Sequence, residues 1–180
     1  MTQEEYIYAL KKIRNSILFI LIHINIGTID ILPDWIGYIL LYQSIMIIGK
    51  EEKSALLLTK LVLSLIIFYL IDWLCVILGI NFNIKILVEI MVIIRIYVNF
   101  QVITHIIDIS IKHKSEMTDK IRNVRNVMTI LLTFLSLTSY LVNVEILAVI
   151  SYVALFIYFI LFIRQILVLN AYIKVEQNKI

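Results

Sequence analysis

The chain has 180 residues, of which 62% are hydrophobic, and its mean hydropathy is +0.98. Soluble domains are about 45–50% apolar, so a water-soluble fold of this size cannot bury so much apolar surface. The excess requires lipid as solvent, and we expect an integral membrane protein surrounded by a lipid bilayer. The net charge of +3 is typical of loops beside anionic lipid, so we infer no nucleic-acid partner.

Apolar runs of spanning length recur six times along the chain. About 20 residues cross the hydrocarbon core, so six spans leave room for short loops only. The sequence therefore predicts an all-α integral membrane bundle of six transmembrane helices, forming a single domain over residues 1–180. The predicted spans are about 13–32, 34–50, 55–79, 85–109, 127–142 and 145–171.

The N-terminal helix has start and stop signals. Thr2 and Glu5 have capping-box spacing, which predicts a helix that begins at Gln3. The apolar part of this helix is predicted to cover residues 16–26, because Gly27 is a typical helix stop.

The segment that follows, residues 27–34, interrupts an otherwise helical pattern. Pro33 suits a first helical turn, and Asp34 favours the positive end of the helix dipole. The second helix is then predicted over residues 33–49, about 25 Å long at 1.5 Å per residue. A core of about 30 Å is thicker, so the sequence leaves open whether residues 27–34 form a re-entrant or a surface turn.

The later connections are short, with one exception. Asn81 suits an exposed turn between the third and fourth spans, and only Asn143 and Val144 join the last two spans, which implies an antiparallel hairpin. Residues 110–126 are polar and basic, and they are predicted to form the one long loop.

Basic residues fall in alternate gaps between the apolar runs. With both termini in the cytoplasm, every Lys and Arg except Lys85 and Arg95 belongs to the inner half, as the positive-inside rule requires. This topology makes 110–126 a cytoplasmic loop and suits a bacterial-type plasma membrane. The aromatic residues near the outer boundary, where an aromatic belt is expected, are Trp35, Tyr38, Trp73 and Tyr140.

Polar residues of the outer half are the best candidates for a binding site. A charge at bilayer depth costs several kcal/mol unless it is paired or hydrated. One interpretation is a solute or ion site, and the other is an interhelical ion pair between Asp72 and Arg95; Asp30 and Asp34 also suit turn formation and helix capping. The proposed site residues are Asp30, Asp34, Asp72, Glu89, Arg95 and Asn99.

The fifth span carries a polar stripe. Its members fall within an arc of about 80° on a helix, at 100° per residue. The stripe is expected to face other helices, either through hydrogen bonds between helices or as one wall of a polar pathway. The stripe residues are Thr129, Thr133, Ser136, Tyr140 and Asn143.

Sequence signatures of enzymes are missing. The three histidines lack HExxH spacing, and the chain has no GxSxG and no P-loop. We therefore expect no enzyme activity, no metal site and no cofactor, with an enzyme kept as the third option.

The length of the chain and its number of predicted spans are similar to those of one known family. They resemble the substrate-binding subunits of energy-coupling-factor vitamin transporters, although residues 16–26 lack the small residues of those subunits. The leading interpretation is a multi-pass subunit that binds or transports a small solute or ion at an outward-facing site. The alternative is a structural, accessory or immunity-type membrane protein whose buried charges are struts between helices. A partner membrane protein or a second copy of the chain stays open.

Overall fold

The computed structural model describes residues 1–21, 25–26, 29–30, 32–80, 84–138 and 145–177. This part of the chain is helical apart from one two-residue β-ladder, which confirms the all-α class. The elements are α1 (Gln3–Leu21), β1 (Asn25–Ile26), β2 (Ile29–Asp30), α2 (Asp34–Ile48), a 3-10 turn (Lys53–Leu57), α3 (Leu58–Ile77), α4 (Lys85–Lys112), α5 (Thr118–Thr138) and α6 (Glu145–Gln177).

Three described helices are long and apolar enough to cross a membrane, whereas six were predicted. These are Lys53–Ile77, which joins the 3-10 turn to α3, then α4, and Tyr152–Val175 within α6. Helix α2 is apolar but has only 15 residues. Helices α1 and α5 are amphipathic, because each begins with charged turns on one face.

Helix α1 begins as the capping box predicts but ends earlier than expected. The Thr2 amide donates to Glu5 Oε2 over 3.0 Å, and the Glu5 amide donates to Thr2 Oγ1 over 3.2 Å. The helix ends at Leu21, and β1 pairs antiparallel with β2. A continuous first span over residues 13–32 is therefore wrong, since the run of β-branched Ile and Thr favours extended backbone over helix.

The chain divides into two compact units, Met1–Val98 and Asn99–Ile180. In the first, α1 and α2 pack closely because small residues lie between them. A Cβ built on Gly37 would lie 2.7 Å from Ile20 Cγ1 and 2.9 Å from the Ser16 carbonyl oxygen. Farther along, the buried Ser44 hydroxyl donates to the Ala9 carbonyl over 3.2 Å. Such small residues let helix backbones approach each other in membranes.

Helix α3 ends in a Schellman motif, close to the predicted end of the third span. The Ile80 amide donates to the Cys75 carbonyl and the Gly79 amide to the Val76 carbonyl. Gly79 has a φ of +68°, a conformation that has no steric cost in glycine because glycine lacks a Cβ.

The prediction of a long loop over residues 110–126 is wrong in its length, because most of this segment is helical. Helix α4 continues to Lys112 and α5 already begins at Thr118, so only residues 113–117 connect them. The polar residues of this stretch lie on one face of α5, whereas its other face is apolar and buried. The buried side chains of α5 are Ile121, Val124, Met128 and Leu132, at helical spacing.

Helix α6 supplies a further part of the second unit's core. It begins at Glu145, as predicted for the sixth span, and runs six residues past the predicted end at 171. Its buried face packs against α5, and the apolar residues on its other side are exposed. The buried apolar side chains of α6 are Leu155, Phe159, Phe162, Ile166, Leu169 and Ile173.

Candidate functional site

Two aromatic pairs join α2 to α3. The Trp35 and Trp73 rings meet edge to face with centroids 6.0 Å apart, and the Tyr38 and Tyr69 rings stack with centroids 5.2 Å apart. The order of the pairs is reversed along the two helices, as antiparallel packing requires. Trp35 and Tyr38 are three residues apart on α2, so both lie on one face of that helix. Tyr69 and Trp73 are four residues apart on α3 and likewise share one face.

Arg95 reaches this aromatic face from α4. Its guanidinium interacts with the side chains of Tyr38, Tyr69 and Asp34. Arg95 and Tyr69 are half-buried, and Tyr38 is fully buried. We call Asp34, Tyr38, Tyr69 and Arg95 the Arg95 cluster. The Trp35–Trp73 pair lies about one helical turn away from it, toward the start of α2 and the end of α3.

Arg95 has an acidic neighbour within the cluster, Asp34, which acts on its guanidinium. Among the described residues, the ion pairs within 4.0 Å do not include Arg95. An arginine cannot lose its proton in a protein, so the side chain stays positively charged in this cluster.

Two buried hydrogen-bond donors lie in the Arg95 cluster or next to it. The Tyr38 hydroxyl and the Trp35 indole N–H are buried, and neither has a hydrogen-bond partner within the described residues. Buried polar groups without partners cost about 1–3 kcal/mol each. Because the cluster also contains the Asp34 carboxylate, whose Oδ1 is a buried acceptor, the arrangement suits a ligand with both acceptor and donor groups.

The structure brings together two of the residues proposed for the site, Asp34 and Arg95. Asp72 and Glu89 are half-buried, and neither forms an ion pair with Arg95 in the described part of the chain. The ion pair between Asp72 and Arg95 that the alternative interpretation requires is therefore not formed among the described residues. The Asp30 backbone lies in β2, but its side chain falls outside the described residues, and Asn99 belongs to the second unit.

Sequence reasoning missed the tyrosines of the cluster. The sequence placed Tyr38 among the aromatic residues of the outer boundary, whereas in the structure its side chain has 0% exposure and stacks on Tyr69. Tyr69 was not singled out at all. The signal that pointed to both was the recurrence of Trp and Tyr at helical spacing in two consecutive apolar helices.

The described part of the polar stripe on α5 bonds to its own helix. Thr129, Thr133 and Ser136 each donate over 2.8 Å to the backbone carbonyl four residues earlier. Thr133 is exposed, and Tyr140 and Asn143 lie outside the described residues. These hydroxyls satisfy themselves within α5, as Ser and Thr do in membrane helices.

Other polar contacts of the second unit fix α5 against α4. The Arg125 guanidinium stacks over Phe100, 4.5 Å from the ring centroid, and donates to Thr104 Oγ1 over 3.1 Å.

Within α4, the side chains of His105 and Asp108, three residues apart on one helix face, approach each other to 3.8 Å. No group of three metal-ligating side chains occurs among the residues that the structure describes.

Comparison with known proteins adds no relative. No protein-family model matches the chain, and neither a curated protein nor a solved structure is similar to it. The helices define the class only as a helical protein with three described helices long and apolar enough to cross a membrane.

Proposed function

We propose that this protein is a multi-pass plasma-membrane protein that binds a small solute or ion at the Arg95 cluster. The observation that carries the proposal is a permanently charged guanidinium in an apolar helix, next to Tyr38, Tyr69 and Asp34. Among the described residues, no carboxylate lies within 4.0 Å of it. Ionisable residues inside membrane segments are costly and commonly mark substrate or ion sites. Binding would serve uptake or sensing of the solute.

The proposed topology retains six membrane helices with both termini in the cytoplasm. Three helices suit a crossing by length and composition, and α1 and α2 would cross as a closely packed hairpin. Support comes from the exposed apolar face of α4, which needs lipid as its partner. That face consists of Ile86, Ile90, Ile93 and Tyr97.

A structural or accessory membrane protein is the second candidate. The observation that favours it is that Arg95 already has aromatic and acidic neighbours on α2, so it would lock α2 and α3 against α4 without any ligand. In that case Arg95 contributes to stability alone, and the cluster takes up no solute.

Tryptophan fluorescence separates the two candidates, because Trp35 and Trp73 are the only tryptophans in the chain. The purified protein in detergent would be titrated with a panel of sodium acetate, sodium phosphate, glucose, glycine and choline chloride. Binding at the cluster predicts a saturable change in emission that Arg95→Gln abolishes and Lys60→Gln, an exposed control on α3, retains. An unchanged spectrum with every solute contradicts the proposal and favours the structural role.

A further inference from the structure

We infer that the end of the second unit where α4 passes into α5 binds the phosphate headgroups of anionic phospholipids. The inference goes beyond the proposed function and uses none of the residues of the Arg95 cluster, which lie in the first unit. It rests on charged and apolar side chains that the second unit exposes. We call this end the basic end, and its exposed basic side chains are Lys112, Lys114, Lys120, Arg122 and Lys174.

Short connections bring these side chains to one end of the unit. Only residues 113–117 join α4 to α5, and the hydroxyl oxygens of Ser110 and Thr118 lie 2.9 Å apart across this turn. The end of α4 therefore lies beside the start of α5. Helix α6 packs against α5 and begins after residues 139–144. Helices joined so closely are antiparallel neighbours, so the C-terminal end of α6 returns to the start of α5.

The basic end has an excess of positive charge. Its five exposed basic side chains outnumber the exposed acidic ones, Glu116 and Asp119. Asp119 pairs with Arg122 over 2.9 Å, but an exposed ion pair contributes little and can exchange for another anion. The next acidic side chain on α4, Asp108, lies 3.8 Å from His105. The surface at this end is therefore complementary to an anionic partner.

The exposed face of α5 changes character along the helix, which favours lipid over a soluble partner. This face is polar up to Asn126 and apolar from Ile130 onward, apart from Thr133, whose hydroxyl bonds to its own helix. Such a change matches the boundary between headgroups and acyl chains, whereas a soluble acidic partner would not need the apolar continuation. The exposed residues are Asp119, Lys120, Arg122, Asn123 and Asn126, followed by Ile130, Thr133, Phe134 and Leu137.

Arg125 delimits the basic end on the side where α5 meets α4. Its guanidinium stacks over Phe100, donates to Thr104 Oγ1 and donates twice to Asn126 Oδ1, over 3.0 and 3.2 Å. These contacts commit its donors within the second unit. The lysines of the basic end have long, flexible stems that can carry an ammonium group to a phosphate. Each lysine near an anionic membrane surface strengthens binding about fivefold.

A fluorescent probe on the basic end measures which lipids surround it in the full chain. The probe would be attached to Asn123→Cys in a Cys75→Ser background, and the protein placed in nanodiscs of phosphatidylcholine. Phosphatidylglycerol or phosphatidylcholine, each carrying the same spin label at the top of an acyl chain, would then be added to quench the probe. The inference predicts stronger quenching by phosphatidylglycerol at equal mole fraction, and a preference that falls as added salt screens the charges.

Matched substitutions test which side chains cause the preference. Lys114→Gln combined with Lys120→Gln should lower the apparent affinity for phosphatidylglycerol at least about tenfold. Lys114→Arg combined with Lys120→Arg keeps both charges, so it should keep the preference and show that the fold tolerates changes at these positions. Lys85→Gln removes an exposed charge at the opposite end of α4 and should leave the preference unchanged.

The remaining outcomes overturn the inference. These are equal quenching by the two lipids in the native chain, a preference that survives the double glutamine variant, and an equal loss in Lys85→Gln, which would assign the preference to net charge alone. Probe emission that responds to inorganic phosphate or RNA but not to phosphatidylglycerol would mean that the basic end binds a soluble anion. None of these outcomes bears on the Arg95 cluster, which the tryptophan titration tests separately.

Discussion

Trp35 and Trp73 meet edge to face, with ring centroids 6.0 Å apart and ring planes inclined by 60°. Because one ring belongs to α2 and the other to α3, this contact closes the two helices at the end where the Arg95 cluster lies. Edge-to-face aromatic pairs contribute about 0.5–1.5 kcal/mol beyond the area they bury. The contact therefore positions the cluster as well as reporting on it.

A double-mutant cycle measures this contact. Trp35→Leu, Trp73→Leu and the double variant should show a coupling of about 1 kcal/mol in the free energy of unfolding. Circular dichroism follows unfolding in detergent, because the variants remove the fluorophores. Strictly additive losses would mean that the two rings do not stabilise each other.

Gly37 should be sensitive to the smallest added side chain. A Cβ there would approach the Ser16 carbonyl oxygen to 2.9 Å, and backbone atoms cannot yield as a side-chain end can. Gly37→Ala should destabilise the chain by about 1–3 kcal/mol, although alanine is the better helix former. The readout is thermal unfolding, with the exposed Met46→Ala on the same helix as control. A Gly37→Ala variant as stable as the native chain would contradict the close α1–α2 packing.

Lys114 should be improved by glycine. It has a φ of +49°, and its amide and that of Ser115 close a Schellman motif at the end of α4. A left-handed conformation costs a residue with a Cβ about 1–2 kcal/mol, so Lys114→Gly should raise the free energy of unfolding by about 1 kcal/mol. Lys114→Ala removes the same charge but keeps the Cβ, so it should give no such gain. Equal effects of the two variants would assign any change to charge.

Acidification should weaken the contact between the start of α1 and the end of α2. The Lys50 ammonium, which hydrogen-bonds Glu5 over 2.6 Å, and the Thr2 amide lower the pKa of the Glu5 carboxyl below its ordinary value of 4.5. A lowered folded-state pKa means that this stabilisation is present above pH 4.5 and is lost as the pH falls through the folded-state pKa. Unfolding from pH 7 down to pH 3 should therefore show a steeper loss in the native chain than in Glu5→Gln. Parallel pH profiles would show that the ion pair does not contribute.

The proposed topology is tested by labelling single cysteines in cells. Cys75 is the only native cysteine, so Cys75→Ser gives a clean background. An impermeant maleimide added from outside should label Asn81→Cys and spare Glu116→Cys, which lies in the exposed turn between α4 and α5. Labelling at 116 but not at 81 would invert the orientation and move the Arg95 cluster to the cytoplasmic half.

Local signals were sufficient to predict several helix ends. Pro33 precedes α2 and Gly49 follows it, as predicted. Gly79 ends α3 because its φ of +68° suits a residue without a Cβ. The start of α5 was missed since its polar, basic residues dominate the composition while Ile121, Val124 and Met128 form its buried face. Periodicity, and not polarity, distinguished this helix from a loop.

The site could be predicted only in part. Arg95 and Asp34 stand out in sequence because a charge in an apolar segment is unusual, and the structure places them in one cluster. Their tyrosine neighbours depend on the register between α2 and α3, which tertiary packing sets. Asp72 is as unusual in sequence as Arg95, yet it forms no ion pair with it in the described chain, because sequence position does not define which faces of two helices meet.

Crystal structures of the purified protein grown with each solute of the panel test the central claim most directly. We expect electron density for one of these solutes in contact with the Arg95 guanidinium. A carboxylate of the chain itself in that position, such as Asp30 or Asp72, with no density for any solute, would contradict a ligand site and make Arg95 a strut between helices.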